Sequence, residues 1–464
     1  MDKVKSRTEH DSLGDREVPS EAYFGIQTLR AVENFPVSGY HEDPVFIKAY
    51  GRIKKAACKV NHKLGRIDDE RARAIDQAAG EVVEGQFNDQ FVVDVFQAGA
   101  GTSFHMNVNE VIANRALEIL GKERGNYKYV SPNDLVNHGQ STNDTFPTAI
   151  HLAVLELWQD LRPILESLAG SFEERGKKFH HILKSGRTHL QDAVPVRLGQ
   201  EFRAYGQAIK RSIRIMESAA NELLELPIGG TAGGTGLNAP EGYQAEVVKE
   251  LSKITGLEFR AAPDLREAMQ SRQGLGAMSA GLRSLSLELI RIANDLRLLT
   301  SGPATGLAEI VLPTVQPGSS IMPAKVNPVM AECLNMICFQ IIGNDTAMTM
   351  AIQAGQLELN VMMPLMVHNL LQSFRMLINY LPVFIEKCVA GITANEKRCN
   401  DYMHRSAALG TVLNPQIGYL KTAKLIKEAL AKGESIRDLV IEKNILPSEK
   451  MDDLLDPIKL TGEK

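Results

Sequence analysis

Long runs of this chain repeat apolar residues at steps of three and four, and that period limits the fold more than anything else in the sequence. Ile150, Val154, Leu157, Leu161, Leu165, Leu168 and Phe172 fall on one face of a helix. Leu198, Phe202, Tyr205, Ile209, Ile213 and Met216 form a second stripe, and Leu275, Met278, Leu282, Leu285, Leu289, Ile292, Leu296 and Leu299 a third. Further helical runs cover about 329–350 and 361–387, and Pro163 and Pro364 are expected to end or kink a helix locally. Helices of this length need partners along the whole stripe. The expectation is a mainly α chain built on an elongated helical bundle, with spare apolar faces taken by other subunits. Strand-like alternation is scarce, apart from possible short pairings near the N-terminus.

With 464 residues the chain is long enough for two or three domains. Aromatic residues are only 6%, with one Trp (Trp158), so aliphatic side chains and the 16 Met must fill the core. The net charge of -4 argues against nucleic acid as the main partner, although a local basic site for an anionic substrate remains open. Cys58, Cys333, Cys338, Cys388 and Cys399 are an odd set without CxxC spacing, which predicts buried, reduced thiols rather than disulfides or zinc. The polar N-terminal segment lacks the apolar core of a signal peptide, and no apolar run approaches the ~20 residues that cross a bilayer. A cytoplasmic protein, with no membrane partner, is expected.

The segments between the helices are rich in hydroxyls, amides and glycines. Most have a bland explanation as helix caps and turns. Ser141-Thr-Asn-Asp144 before Pro147 suits an N-cap, and Gly229–Gly236 is better read as a structural turn than as a phosphate cradle, because it lacks the Gly-Lys-Ser/Thr ending. Gly318 to Pro328 resists that reading. Gly318-Ser-Ser320 offers hydroxyls and free backbone N–H groups, and Lys325 and Asn327 follow between Pro323 and Pro328. Such a density of donors among fixed turns points to an anion site.

Gly318-Ser-Ser-Ile-Met-Pro-Ala-Lys-Val-Asn-Pro328 resembles the signature of the fumarase/aspartase superfamily. The resemblance runs from about Asp11 to about Pro457 and includes Gly186-Arg-Thr-His-Leu-Gln-Asp-Ala193, Gln140-Ser-Thr-Asn-Asp144 and Gly101-Thr-Ser-Phe-His-Met-Asn107. Ala22–Phe35, Gly99-Ala-Gly-Thr-Ser103 and Ser141-Thr142 are similar to the aspartase branch, whereas Gly229-Gly-Thr-Ala232 and Leu357-Glu-Leu-Asn360 occur in both branches. Leu135 stands where the superfamily often has His, which puts a secondary carboxylate site there in question; His138-Gly139 also departs from the usual pattern.

The resemblance implies a three-domain fold, divided here as 1–142, 143–397 and 398–464, and a homotetramer whose sites are shared between three subunits. It implies an aspartate ammonia-lyase that converts L-aspartate to fumarate with no organic cofactor and no metal. Ser319 is then the general base. Thr102, Ser141, Thr142 and the Ser320 N–H hold the β-carboxylate, Thr188, Lys325 and Asn327 the α-carboxylate, and Asn143 and His189 the amino group. A class II fumarate hydratase acting on malate is the alternative, and a non-catalytic oligomeric scaffold a more remote one.

Overall fold

The structure of the chain, a computed structural model, describes residues 5–462. It is mainly helical, and the chain gathers into two compact units. One comprises Met1–Arg162, Arg214–Ser286 and Phe339–Leu377; the other comprises Pro163–Ile213, Leu287–Cys338 and Ile378–Lys464. The helices Thr142–Lys178, Leu198–Glu222, Gln273–Leu299, Val329–Gln353 and Met363–Lys387 each give residues to both units. These are the runs that the apolar period predicts. Ile150, Val154, Leu157, Leu161, Leu165, Leu168 and Phe172 are all buried, as are the residues of the second and third stripes. Each such side chain contributes about 1.5–3 kcal/mol by leaving water.

Pro163 does not end its helix, which continues to Lys178. Pro364 is the second residue of its helix, where a missing N–H costs nothing and the fixed φ suits the first turn. Among the described residues the sheets are four two-stranded pairs. Ser6–Asp11 and Gly14–Pro19 form the N-terminal hairpin. A second hairpin, Leu183–Thr188 with Gln191–Arg197, occupies a stretch that sequence reasoning treats as a loop between helices.

In the first unit the helix Pro44–Lys63 starts at Asp43, whose Oδ1 accepts from the Val45 N–H at 2.8 Å, with Pro44 beside it. Its buried face carries Phe46 and Tyr50, which pack with Phe104 and Phe146; the Phe46 ring lies 5.0 Å from Phe146 and 5.3 Å from Phe104. Trp158 is buried here too, and its indole N–H donates to Glu217 at 3.1 Å. In the second unit Phe172, Phe179, Phe202 and Tyr205 form an aromatic cluster. A separate small core of Leu409, Leu413, Leu425, Ile436, Leu439, Val440 and Met451 holds the C-terminal helices together.

Cys58, Cys338, Cys388 and Cys399 are buried and Cys333 is half-buried, all as free thiols. Burial pushes the Cys58, Cys388 and Cys399 thiols up to about 12, so they are inert thiols rather than thiolates. No helix among the described residues is long and apolar enough to cross a membrane.

Candidate active site

The sequence-predicted residues fall into two sets, one in each unit. Thr102, Ser141, Thr142 and Asn143 belong to the first unit; Thr188, His189, Ser319, Ser320, Lys325 and Asn327 belong to the second.

In the first unit two helix N-termini meet. Thr102 opens the helix Thr102–Ile119 and Thr142 opens Thr142–Lys178, and their hydroxyl oxygens lie 3.1 Å apart. Unpaired N–H groups and the helix dipole make such ends favourable to an anion. Gly101 permits the approach. Its φ is +96°, and a Cβ there would sit 2.1 Å from the Phe146 ring. Ser141 caps its helix: its hydroxyl accepts from the Asn143 N–H at 3.2 Å, and its own N–H donates to Asp144 Oδ1 at 3.0 Å. Both the capping role and a ligand role are open to these residues, since a hydroxyl has two lone pairs and a proton. Asn143 donates its side-chain N–H to the Ala232 carbonyl at 2.8 Å.

Asp144 organises this end. It is fully buried, and its second oxygen accepts from the Gly229 N–H at 3.0 Å and the Thr231 N–H at 2.9 Å. The glycine-rich loop is therefore a structural turn wrapped on a carboxylate. Burial pushes the Asp144 carboxyl up to about 7, against the pull of the three backbone N–H groups. Behind Thr142 lie two residues that sequence reasoning missed. His105 Nδ1 is 2.8 Å from Thr142 Oγ1, and Lys54 Nζ is 2.7 Å from His105 Nε2. The available signal was helical spacing: Lys54 aligns with Tyr50, Ala57, Cys58 and Asn61 on a buried face.

In the second unit Thr188 ends a strand, and His189 and Leu190 form the two-residue turn that follows. Both have left-handed backbones, φ +56° and +60°, a conformation usually left to Asn and Gly. Thr188 and His189 are exposed at this tip. Below them Lys184 is buried between Glu201 and Glu309, at 2.8 Å from each, and Arg187 reaches Glu309 at 2.9 Å. This charged cluster fixes the base of the hairpin.

The Gly318–Pro328 loop folds back on itself. A Cβ at Gly318 would sit 2.1 Å from the Lys325 carbonyl oxygen, so only glycine lets the two arms touch. Asn327 donates to the Gly318 carbonyl, and Lys325 Nζ donates to Asn327 Oδ1 at 2.7 Å. Ser319 Oγ accepts two backbone N–H groups, from Met322 at 3.0 Å and Ile321 at 3.3 Å. Lys325 and Asn327 also line a cavity of about 510 Å³ with Arg297, Glu332 and Asn395.

Comparison with known proteins gives these sites a family. Residues 14–343 match the family described as Lyase, and residues 409–462 match the fumarase C C-terminus. The chain is 48% identical over 455 residues to an aspartate ammonia-lyase of Bacillus subtilis, covering 98% of this chain and 96% of that one. It is 49% identical over 456 residues to a class II fumarate hydratase of Halobacterium salinarum, covering 98% and 97%. The crystal structure of a fumarate lyase:delta crystallin from Brucella melitensis bound to cobalt superposes with a TM-score of 0.95 at 47% identity, covering 98% of this chain and 99% of that one. Near-complete coverage at this identity fixes both the fold and the membership: the chain belongs to the fumarase/aspartase superfamily of lyases.

Proposed function

We propose that this chain is an aspartate ammonia-lyase, eliminating ammonia from L-aspartate to give fumarate. The proton beside a carboxylate is hard to remove unless the charge flows onto that carboxylate as an enediolate held by preorganised donors. Thr102, Ser141, Thr142 and the Ser320 N–H are the donors assigned to the β-carboxylate, and the meeting of two helix N-termini at Thr102 and Thr142 supports that role. Ser319 is assigned as the base that takes the Cβ proton as an alkoxide. The observation that carries this is the pair of backbone N–H groups, from Ile321 and Met322, aimed at its oxygen. Hydrogen bonds of that kind favour the charged form of a group that is otherwise a very weak base.

Lys325, Asn327 and Thr188 are assigned to the α-carboxylate, with Asn143 and His189 on the amino group. As the Cα–N bond breaks, its electrons go to nitrogen, and the protonated amine leaves as ammonia without a general acid. The two sets act together in a homotetramer whose sites draw on three subunits. An exposed stripe on the helix Val329–Gln353, made of Met336, Phe339, Gly343, Thr346 and Met350 at steps of three and four, supports such an assembly. The three-segment division at 142 and 397 and a cytoplasmic location belong to the same reading.

The Halobacterium relative favours a second reading, a class II fumarate hydratase. A non-catalytic scaffold lacks its mark, because Thr102, Thr188, His189, Ser319, Lys325 and Asn327 are all intact. One experiment separates the two enzymes: purified protein is given L-aspartate and, separately, L-malate, and fumarate is followed by its ultraviolet absorbance. Fumarate from aspartate is the expected result. Exchange of malate alone would establish the hydratase instead.

A further inference from the structure

Lys54 is completely buried yet has no carboxylate within hydrogen-bond distance among its described partners. Its Nζ meets three neutral groups: His105 Nε2 at 2.7 Å, Gln140 Oε1 at 2.9 Å and Asn137 Oδ1 at 3.1 Å. Both amides are oriented by their own donors. Gln140 Nε2 donates to the Val136 and His138 carbonyls at 3.1 and 3.3 Å, and Asn137 Nδ2 donates to the Gln140 carbonyl at 3.2 Å. Each therefore presents its oxygen to Lys54. Burying an amine among neutral groups is costly, so a structural role alone accounts poorly for Lys54.

The role follows from counting protons. Burial, and then the Lys54 amine beside it, hold the His105 imidazole well below its ordinary range, so the ring is neutral and carries one proton. Two arrangements are possible. If Lys54 is an ammonium, its three N–H groups serve the two amides and Nε2. His105 then donates from Nδ1 to Thr142, and the Thr142 proton is free to point away. If Lys54 is a neutral amine, it accepts from Nε2–H. His105 Nδ1 then accepts the Thr142 proton, and Thr142 has none left to give. Thr102 does not replace it, because its single proton already serves a separate donor role and has the Gly99 carbonyl at 2.6 Å and Thr142 Oγ1 at 3.1 Å as acceptors.

An arriving carboxylate decides between the two. Only the first arrangement offers it a donor, and the ammonium behind His105 adds attraction. The ionisable groups that act on Lys54 are His105 from the helix Thr102–Ile119 and Asp144 from Thr142–Lys178. Burial draws the Lys54 amine well below its ordinary value, whereas the Asp144 carboxylate draws it upward. We propose that Lys54 is a positioning residue that, acting through His105, fixes the Thr142 hydroxyl as a hydrogen-bond donor to the substrate carboxylate. This rests on the reading of Thr142 as a carboxylate donor.

A double-mutant cycle in the full-length enzyme tests it, with kcat and KM measured on whichever of L-aspartate and L-malate the enzyme turns over. Lys54→Met and Thr142→Val should each lower kcat/KM about 10²-fold, the size of one lost oxyanion donor. Once Thr142 has no hydroxyl the relay has nothing to act on, so adding Lys54→Met to Thr142→Val should cost no more than about 2-fold, the limit of additivity error. A Lys54→Met enzyme of normal activity, or losses that multiply in the double variant, would overturn the relay and leave the donor reading standing. A Thr142→Val enzyme of normal activity would overturn the donor reading itself. Should Lys54→Met fail to fold, the wild-type enzyme still decides. With ¹⁵N-labelled histidine and saturating fumarate, the resonance lost in His105→Gln should report the Nδ1–H tautomer; the Nε2–H tautomer would overturn the proposal.

Discussion

The two sets of site residues are built in opposite ways. Around Thr142 the supporting groups are tied into the interior, although Thr102 itself is exposed: Asp144 holds three backbone N–H groups, and His105 and Lys54 stand behind the hydroxyl. Around Ser319 and His189 the residues sit on exposed turns, held by short-range backbone bonds and left-handed residues. In the proposed assignment, a rigid half presents fixed donors and a half on exposed turns brings the base and the cation, which divides the task of binding and reacting. On that proposal, preorganisation suits the first half and closure over substrate the second.

This contrast predicts that the half on exposed turns governs rate without governing stability. Ser319→Ala should lower kcat by about 10²–10⁴-fold, the usual contribution of a positioned base, with the melting temperature and light-scattering mass unchanged. Normal turnover in that variant would remove Ser319 from the mechanism. In the rigid half the two properties should fall together. Asp144→Ala leaves the N–H groups of Ser141, Gly229 and Thr231 without their acceptor and should cost about 3 kcal/mol in denaturant unfolding, with activity lost as the Thr142 helix end loosens. A stable but inactive variant would show that the two halves do not differ as described.

Smaller effects refine the contrast. Glu42 is buried in the first unit with one oxygen unpartnered, and burial, then the carboxylates of Asp43 and Asp94, push its carboxyl up to about 8. A raised value means that the folded state prefers the proton. The associated stability is therefore complete below about pH 4.5 and is lost as pH rises through 8. Glu42→Gln removes that loss, so its advantage in melting temperature over the natural chain should grow between pH 5 and 8.5; a constant difference would argue against a buried acid. At the hairpin tip, Leu190→Gly should relieve a left-handed residue and stabilise the second unit by about 1 kcal/mol. A destabilised Leu190→Gly would mean that the exposed leucine is held by something else.

Much of the fold was legible because the apolar period fixes both the helices and their buried faces, from Ile150 to Phe172 and from Leu275 to Leu299. The hairpin at Leu183–Arg197 was not, because Ser185-Gly-Arg-Thr-His-Leu-Gln-Asp192 shows no alternation and its strands are held by a bulged register and a buried charge cluster. Pro163 does not end its helix, which runs on to Lys178. Packing along a long helix outweighs the local cost of one proline. At the site, the hydroxyl and amide turns announced themselves by composition, whereas Lys54 and His105 did not. A lysine in a helix ordinarily reaches water, and only its place on the Tyr50 and Cys58 face shows that this one does not.

The lone indole has a practical consequence. Trp158 is buried in the first unit and donates to Glu217 at 3.1 Å, and no second tryptophan exists to blur its emission. Its fluorescence is thus a natural optical gauge of one unit alone. Denaturant titrations that follow this colour change beside circular dichroism would reveal whether the two units melt in a single step or in sequence, with no dye or label attached.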